Sequence, residues 1–184
     1  MAEPVAADRH WADRAAEQIA ARGVAEPVVC TGISPSGPFH VGHLREIITG
    51  DALVRALRER GIAARGLFVV DDVDPLRKVY PFLDPDVYAP LVGRSLYELP
   101  APCGGGTYER YYLDPFLSAL ERLHVDVEVV HGRELYASGR MIDVVFTALE
   151  RRDVIAEILE QVTGRAVDAD WSPWNPRCPG CGRL

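Results

Sequence analysis

Apolar positions along the chain alternate between helical and strand periods. From Trp11 to Arg22 they recur at helical spacing, and the pattern stops at Gly23. Val28-Val29-Cys30-Thr31, entered through Pro27, predicts a short buried strand with Cys30 as a core residue. A turn rich in glycine, proline and serine follows, Gly32-Ile33-Ser34-Pro35-Ser36-Gly37-Pro38. Leu44, Ile47, Ile48, Leu53, Val54 and Leu57 then mark an amphipathic helix closed by Gly61. Gly66-Leu67-Phe68-Val69-Val70 predicts a second strand that runs into the acidic turn Asp71-Asp72-Val73-Asp74. Strand, helix and strand in one short stretch make a βαβ unit, which is parallel and right-handed in nearly all cases.

From Pro75 to Pro102 the periodicity is lost, six prolines fall in the stretch with both ends counted, and Gly104-Gly105-Gly106 follows. This predicts an irregular insertion over the sheet with only short helices. Helical spacing returns from Tyr108 to Leu123, and Val125-Asp126-Val127-Glu128-Val129-Val130 reads as a third strand. Apolar residues from Met141 to Val162 predict one long helix. The expected organisation is residues 1–72 as the first half of a nucleotide-binding fold and 73–107 as the insertion. Residues 108–170 continue it as helix, strand and helix, and 171–184 form a tail rich in Trp, Pro, Cys and Gly.

Composition narrows the class. With 184 residues, 48% hydrophobic and 26% charged, the chain is globular rather than disordered. No apolar run is long enough to span a bilayer, so no membrane partner is expected. Met1 to Asp13 has no apolar signal core, and the four cysteines are too few for a disulfide scaffold, which together predict a reducing cytoplasm. A net charge of −7 argues against attachment to nucleic acid by bulk charge. Lys78 is the sole lysine among 20 basic side chains; the rest are arginines.

The segment with most chemical content is Gly32-Ile33-Ser34-Pro35-Ser36-Gly37-Pro38-Phe39-His40-Val41-Gly42-His43, which leaves the first strand and opens the first helix of the βαβ unit. Ligands of parallel sheets bind at the carboxyl ends of strands, and a helix start there offers backbone N–H groups and a positive dipole end to phosphate. Two histidines three apart can point at one ligand, and Gly42 between them lets a nucleotide approach the backbone. Donors fixed at an α-phosphate suit nucleotidyl transfer. A capped turn with two incidental histidines is the bland alternative. The segment matches neither the glycine pattern of dinucleotide folds nor that of P-loops.

His40-Val41-Gly42-His43 resembles the HIGH signature of class I aminoacyl-tRNA synthetases and related nucleotidyltransferases. Four further motifs, in order, resemble class I lysyl-tRNA synthetase: His10-Trp11-Ala12-Asp13, Gly32-Ile33-Ser34-Pro35-Ser36-Gly37, Leu44-Arg45-Glu46 and Asp71-Asp72-Val73-Asp74-Pro75-Leu76-Arg77-Lys78-Val79. The likeness runs from about His10 to Pro179. It implies an α/β fold with a Rossmann-like parallel sheet of the HIGH-signature nucleotidyltransferase type, incomplete here and carrying an irregular insertion. It also implies ATP-dependent conversion of lysine to lysyl-adenylate and then lysyl-tRNA, with ATP as substrate, Mg2+ accompanying it, and tRNA(Lys) as acceptor. His40, Gly42 and His43, with Ser34, Pro35, Ser36 and Gly37, then correspond to the ATP-binding and catalytic turn. Gly32 and Ser34 correspond to positions beside the amino-acid pocket. Asp71 and Asp72 either face the lysine ammonium group or cap the following turn.

Cys178-Pro179-Gly180-Cys181 has the spacing of half a zinc knuckle, and a structural zinc needs four ligands. The pair reads as half of a lost site or half of an occupied one. In the resembled family a metal site lies near the insertion; here Ala101, Gly104, Gly105, Gly106 and Tyr111 stand in that neighbourhood, which predicts no metal there. The family's lysine-bearing KMSKS-type loop and anticodon-binding domain have no counterpart in these residues. The expectation is therefore a portion of a synthetase that is not competent alone, with a partner chain able to supply the missing half. The alternative is a truncated paralogue that binds lysine or nucleotide without aminoacylation. A small self-contained nucleotidyltransferase leaves the lysyl-type motifs unexplained.

Overall fold

The computed structural model describes residues 9–184. The stretch Met1 to Ala7, part of the expected leaderless N-terminus and of the 1–72 unit, lies outside the described residues, as does Asp8. Helix α1 (Trp11–Ala20) precedes strand β1 (Val28–Ile33), helix α2 (Val41–Glu59) and strand β2 (Arg65–Val70). The insertion contains one turn of helix, α3 (Pro85–Tyr88), and two 3₁₀ turns at Ala89–Leu91 and Leu96–Glu98. Helix α4 (Tyr108–Arg122), strand β3 (Glu128–His131) and helices α5 (Gly132–Ala137), α6 (Ile142–Glu150) and α7 (Arg152–Thr163) complete the order.

The sheet is three-stranded, wholly parallel, and ordered β1-β2-β3. Its register aligns Ile33, Val70 and His131 across the three strands. The residues that follow each strand, Ser34, Asp71 and Gly132, therefore emerge side by side at one edge. Ile33, Ile47, Phe68 and Val70 pack with Leu113, Phe116 and Leu120 of α4 to form the principal core. On the α1 side, Ala12 and Ala16 pack against Val54, Ala56 and Leu57 of α2. Small residues on α1 let the two helices approach closely, so a short helix with little apolar volume still buries a face.

The insertion has a core of its own. Leu76, Leu83, Tyr88, Leu96 and Leu99 close around Tyr108 at the first turn of α4. Proline-rich chain without regular ladders is thus held by side-chain burial and by single bonds, such as the Tyr88 hydroxyl donating to the Pro100 carbonyl at 2.7 Å. The insertion adds no strand to the sheet.

Four local expectations are corrected. Cys30 is exposed, not core, because it shares the outer face of β1 with Val28 and Gly32, while Val29, Thr31 and Ile33 take the inner face. Gly32 and Ile33 belong to β1 rather than to the turn. The third strand begins at Glu128, because its first ladder partner is Leu67; Val125 is still bonded back to Leu120 at the end of α4. The expected helix from Met141 to Val162 is broken at Arg151, whose φ of −103° and ψ of 19° lie outside helical geometry. Among the described residues no helix is long and apolar enough to cross a membrane.

Candidate functional site

The β1–α2 connection builds the centre of the site. His40 is the N-cap of α2 and His43 its third residue. The Gly42 N–H donates to His40 Nδ1 at 3.0 Å, and the His40 N–H donates to His43 Nδ1 at 3.1 Å. This is a capping box in which both partners are imidazoles. The two rings lie with centroids 3.9 Å apart. A Nδ1 that accepts a backbone N–H keeps the ring proton on Nε2. Each ring thereby offers one Nε2–H donor, and neither donor is used among the described residues. Burial lowers the pKa of His43, and the neighbouring His40 acts in the same direction against a smaller opposing effect of Glu46. The His43 ring is accordingly neutral at physiological pH.

This arrangement changes the expected use of the helix start. The N–H groups of His43 and Leu44 are bonded to the His40 carbonyl, and that of Gly42 to the His40 ring. Among these first N–H groups that of Val41 alone is left without a partner, and the positive end is otherwise relayed through the two imidazoles to their Nε2–H groups. Gly42 also has a different reason to be glycine. A Cβ there would lie 2.8 Å from Cε1 of His40, so the missing side chain makes room for the capping ring.

The rest of the turn is fixed from above and below. Gly37 lies under the Phe82 ring, where a Cβ would come within 2.7 Å of Cζ. The Tyr108 hydroxyl donates to the Ser36 carbonyl at 2.6 Å. Pro35 is buried. The Ser34 hydroxyl donates to Asp74 Oδ2 at 2.6 Å, joining the turn to the acidic loop after β2. On the open edge of β1, the Gly32 N–H donates to Glu46 of α2 at 3.1 Å, which satisfies a strand donor that no neighbouring strand meets.

Gly32, Ser34 and Asp71 line one cavity of about 350 Å³ at the carboxyl edge of the sheet. Ile33, Val69, Leu135, Tyr136 and Met141 give it a largely apolar wall. A second cavity of about 670 Å³ shares Asp71 and Tyr136, and has Tyr97, Arg133 and Trp174 in its wall. Burial raises the pKa of Asp71, repulsion from Asp74 and Asp72 adds to that, and a bond from the Asp74 backbone and the charge of Arg77 oppose it.

Asp72 departs from expectation. It is fully buried and lines neither cavity. Its Oδ1 accepts from the Arg133 N–H at 2.8 Å, and its Oδ2 lies 3.0 Å from His131 Nδ1. Glu109, also fully buried, bonds the Arg133 guanidinium through Oε2, while its Oε1 lies 3.0 Å from the same His131 nitrogen without hydrogen-bond geometry. Burial raises the pKa of Glu109, against the opposing attraction of Arg133. Asp72, Glu109 and His131 have the donor atoms and spacing of a cation site. Arg133 already supplies the positive charge between the two carboxylates, so the group fits an internal ion cluster better than a metal site.

Cys178 and Cys181 are exposed thiols in the tail, and among the described residues no third metal-ligating side chain joins them. Two ligands do not make a closed zinc site. Hydrogen bonds from the Cys181 and Gly180 backbone lower the pKa of the Cys178 thiol. Sequence reasoning missed Tyr136, Met141, Arg133 and Glu109. Met141 falls at the start of the helical pattern read from 141 to 162 and Tyr136 lies in a stretch to which the sequence pattern assigns no element, while Arg133 and Glu109 gain meaning only when α4 and α5 are brought together.

A family model described as tRNA synthetases class I (K) matches residues 9–184. A lysine–tRNA ligase of Methanosarcina barkeri is 47% identical over 176 residues, covering 95% of the chain and 32% of that protein. The lysine–tRNA ligase of Thermoplasma volcanium is 42% identical over 174 residues, covering 95% of the chain and 34% of its own length. That of Archaeoglobus fulgidus is 43% identical over 176 residues, with 95% and 35% covered. The chain spans about a third of the length of these curated relatives.

Proposed function

The chain belongs to the class I tRNA synthetase family of the lysine type, and on that premise we propose that it carries the lysine pocket and the ATP-phosphate turn of a lysine–tRNA ligase. The observation that carries this reading is the pair of unused Nε2–H donors on His40 and His43, held on the same β1–α2 connection as the cavity containing Gly32, Ser34 and Asp71. In the proposed reaction a lysine carboxylate oxygen attacks the α-phosphate of ATP, pyrophosphate leaves, and lysyl-adenylate remains for transfer to tRNA(Lys). Negative charge gathers on the phosphate oxygens as the bond forms, and the two imidazole N–H groups stabilise it there. One preorganised donor of this kind contributes on the order of 10²- to 10³-fold in rate. Asp71 receives the lysine ammonium group, and the apolar wall from Ile33 to Met141 takes the methylene chain. Mg2+ enters with ATP as its counter-ion.

The single lysine of these residues, Lys78, lies beyond β2 in the insertion, and no KMSKS-type loop is among them. This favours a second reading, in which the 184-residue chain binds lysine and nucleotide but leaves the other face of the phosphate unsupported. The remaining donors would then come from further chain of the relatives' kind, in cis or as a partner. Calorimetry with ATP and with a non-hydrolysable lysyl-adenylate mimic tests the pocket. Lysine-dependent ATP–pyrophosphate exchange and tRNA lysylation test the reaction. Binding with little exchange is the expected result for the 184 residues. Absence of both lysine and ATP binding overturns the proposal, and robust lysylation by this chain removes the second reading.

A further inference from the structure

Helices α6 and α7 carry an apolar surface that the proposed reaction does not use. Neither helix has a fully buried residue. Each half-buries one apolar row, Val145 and Ala148 on α6, and Ile155 and Leu159 on α7. A second row stays outside at helical spacing: Ile142, Phe146 and Leu149 on α6, and Val154, Ile158 and Val162 on α7. Phe146 is 63% exposed and Val162 79%. Single exposed apolar residues need no explanation, but two full rows on consecutive helices do. The α6 sequence, Ile142-Asp143-Val144-Val145-Phe146-Thr147-Ala148-Leu149-Glu150, is apolar on nearly every side, a pattern that belongs to helices covered all round.

A surface that covers these rows must itself be apolar, uncharged at its centre and about two helices wide. The chain holds such a surface in the rows themselves. The six side chains present on the order of 600 Å² of apolar area per copy. Pairing two copies then removes about 1,200 Å² from water before any polar rim is counted, which reaches the size of a specific interface. No charged side chain lies in either row, so a two-fold pairing buries no charge there. Asp143, Glu150 and Glu157, with Arg140 and Arg151, are exposed around the rows and give the rim both signs. Two identical faces can therefore meet with opposite charges opposed. Two helix pairs brought together about a two-fold axis form a four-helix arrangement with all four outer rows in one core.

We propose that the outer rows of α6 and α7 are a dimer interface, occupied by the same two helices of a second copy of the chain. The interface stands apart from the ligase reading, since no residue of the two rows lines the ligand cavities. Sedimentation equilibrium of the 184-residue chain over a range of concentrations tests it. The expected result is a monomer–dimer equilibrium with a dissociation constant of about micromolar or tighter. Phe146→Glu and Ile158→Glu place a charge from each copy inside the interface, and each is expected to weaken the dimer at least about 100-fold. Both side chains are exposed in a single copy, so the variants should keep the parent's circular dichroism spectrum. Phe146→Leu keeps the row apolar and should dimerise close to the parent. Amide exchange in α6 and α7 should slow as concentration rises in the parent and not in the two glutamate variants. A dimer lost in both glutamate variants and kept in Phe146→Leu supports the proposal. A dimer that both glutamate variants leave intact overturns it, because the contact then lies elsewhere. Open-ended association beyond two copies overturns it too, as does a parent that stays monomeric at every concentration, which would assign the rows to further chain of the relatives' kind.

Discussion

Gly42 and the His40 ring occupy one space: the position of a Cβ on the first lies 2.8 Å from Cε1 of the second. The glycine therefore makes room for the ring of His40, whose Nε2–H is the donor we propose for phosphate. Alanine gains up to about 1 kcal/mol of helix propensity, and loss of the cap, about 0.5–2 kcal/mol, offsets it, so Gly42→Ala is expected to change global stability little. It should displace the His40 ring and break the capping box. ATP affinity is expected to fall at least about tenfold while the urea midpoint holds, a separation that calorimetry and denaturation read independently.

Replacing both histidines separates the cap from the donors. His40→Ala with His43→Ala removes two Nε2–H groups and also the N-cap, whose loss costs about 0.5–2 kcal/mol. His40→Asn restores the cap without an imidazole. The double alanine variant should lose most ATP binding and some stability. The asparagine variant should regain the stability and not the binding. Recovery of binding with asparagine would assign the affinity to helix geometry alone.

Asp71 has a folded-state pKa above its ordinary value, chiefly through burial. The folded chain therefore holds that proton more tightly than the unfolded chain. Its contribution to stability is greatest at low pH and declines as pH rises from the ordinary carboxyl range through the raised value. If Asp71 receives lysine as proposed, lysine binding should run the other way, because the ammonium group needs the carboxylate. Asp71→Asn should stabilise the chain slightly near neutral pH, weaken lysine binding, and abolish the rise in lysine affinity on leaving acid conditions. Isothermal titrations across that range would show the loss of slope.

Arg133 stands between two carboxylates that are both fully buried. Arg133→Ala strands them, and breaking such a pair by removing one partner costs about 3 kcal/mol or more. Glu109→Gln keeps the shape and removes a carboxyl whose pKa burial has already raised. It should cost less, and it should flatten the decline in stability as pH rises through the raised Glu109 pKa. Urea midpoints measured for both variants across pH check the order and the sign.

Local pattern was enough for the parallel βαβ unit and for the helix start between its strands. Val28–Ile33, Val41–Glu59 and Arg65–Val70 each satisfy their own period, so near neighbours decide them. The pairing of His40 with His43 was equally legible, because three residues separate them on one helix turn. Other features depend on partners far along the chain. Cys30 reads as core from its apolar neighbours, yet it lies on the exposed face of β1 with Val28 and Gly32, and which face is covered depends on segments far along the chain. The break at Arg151 carries no glycine or proline signal; Arg152 is tied instead to the Trp171 carbonyl at 2.7 Å, a contact across the tail. Asp71 and Asp72 are adjacent and chemically identical, so sequence gives them one role. The fold gives them two, because β2 ends where one side chain opens into the cavity while the other meets His131 and Arg133 arriving from β3 and α5. Sequence by itself determined the βαβ unit and the pair of imidazoles at its helix start, since near neighbours set both. Tertiary structure decided which carboxylate opens into the cavity and which is neutralised inside, since burial and charge pairing are properties of segments that meet only when the chain folds.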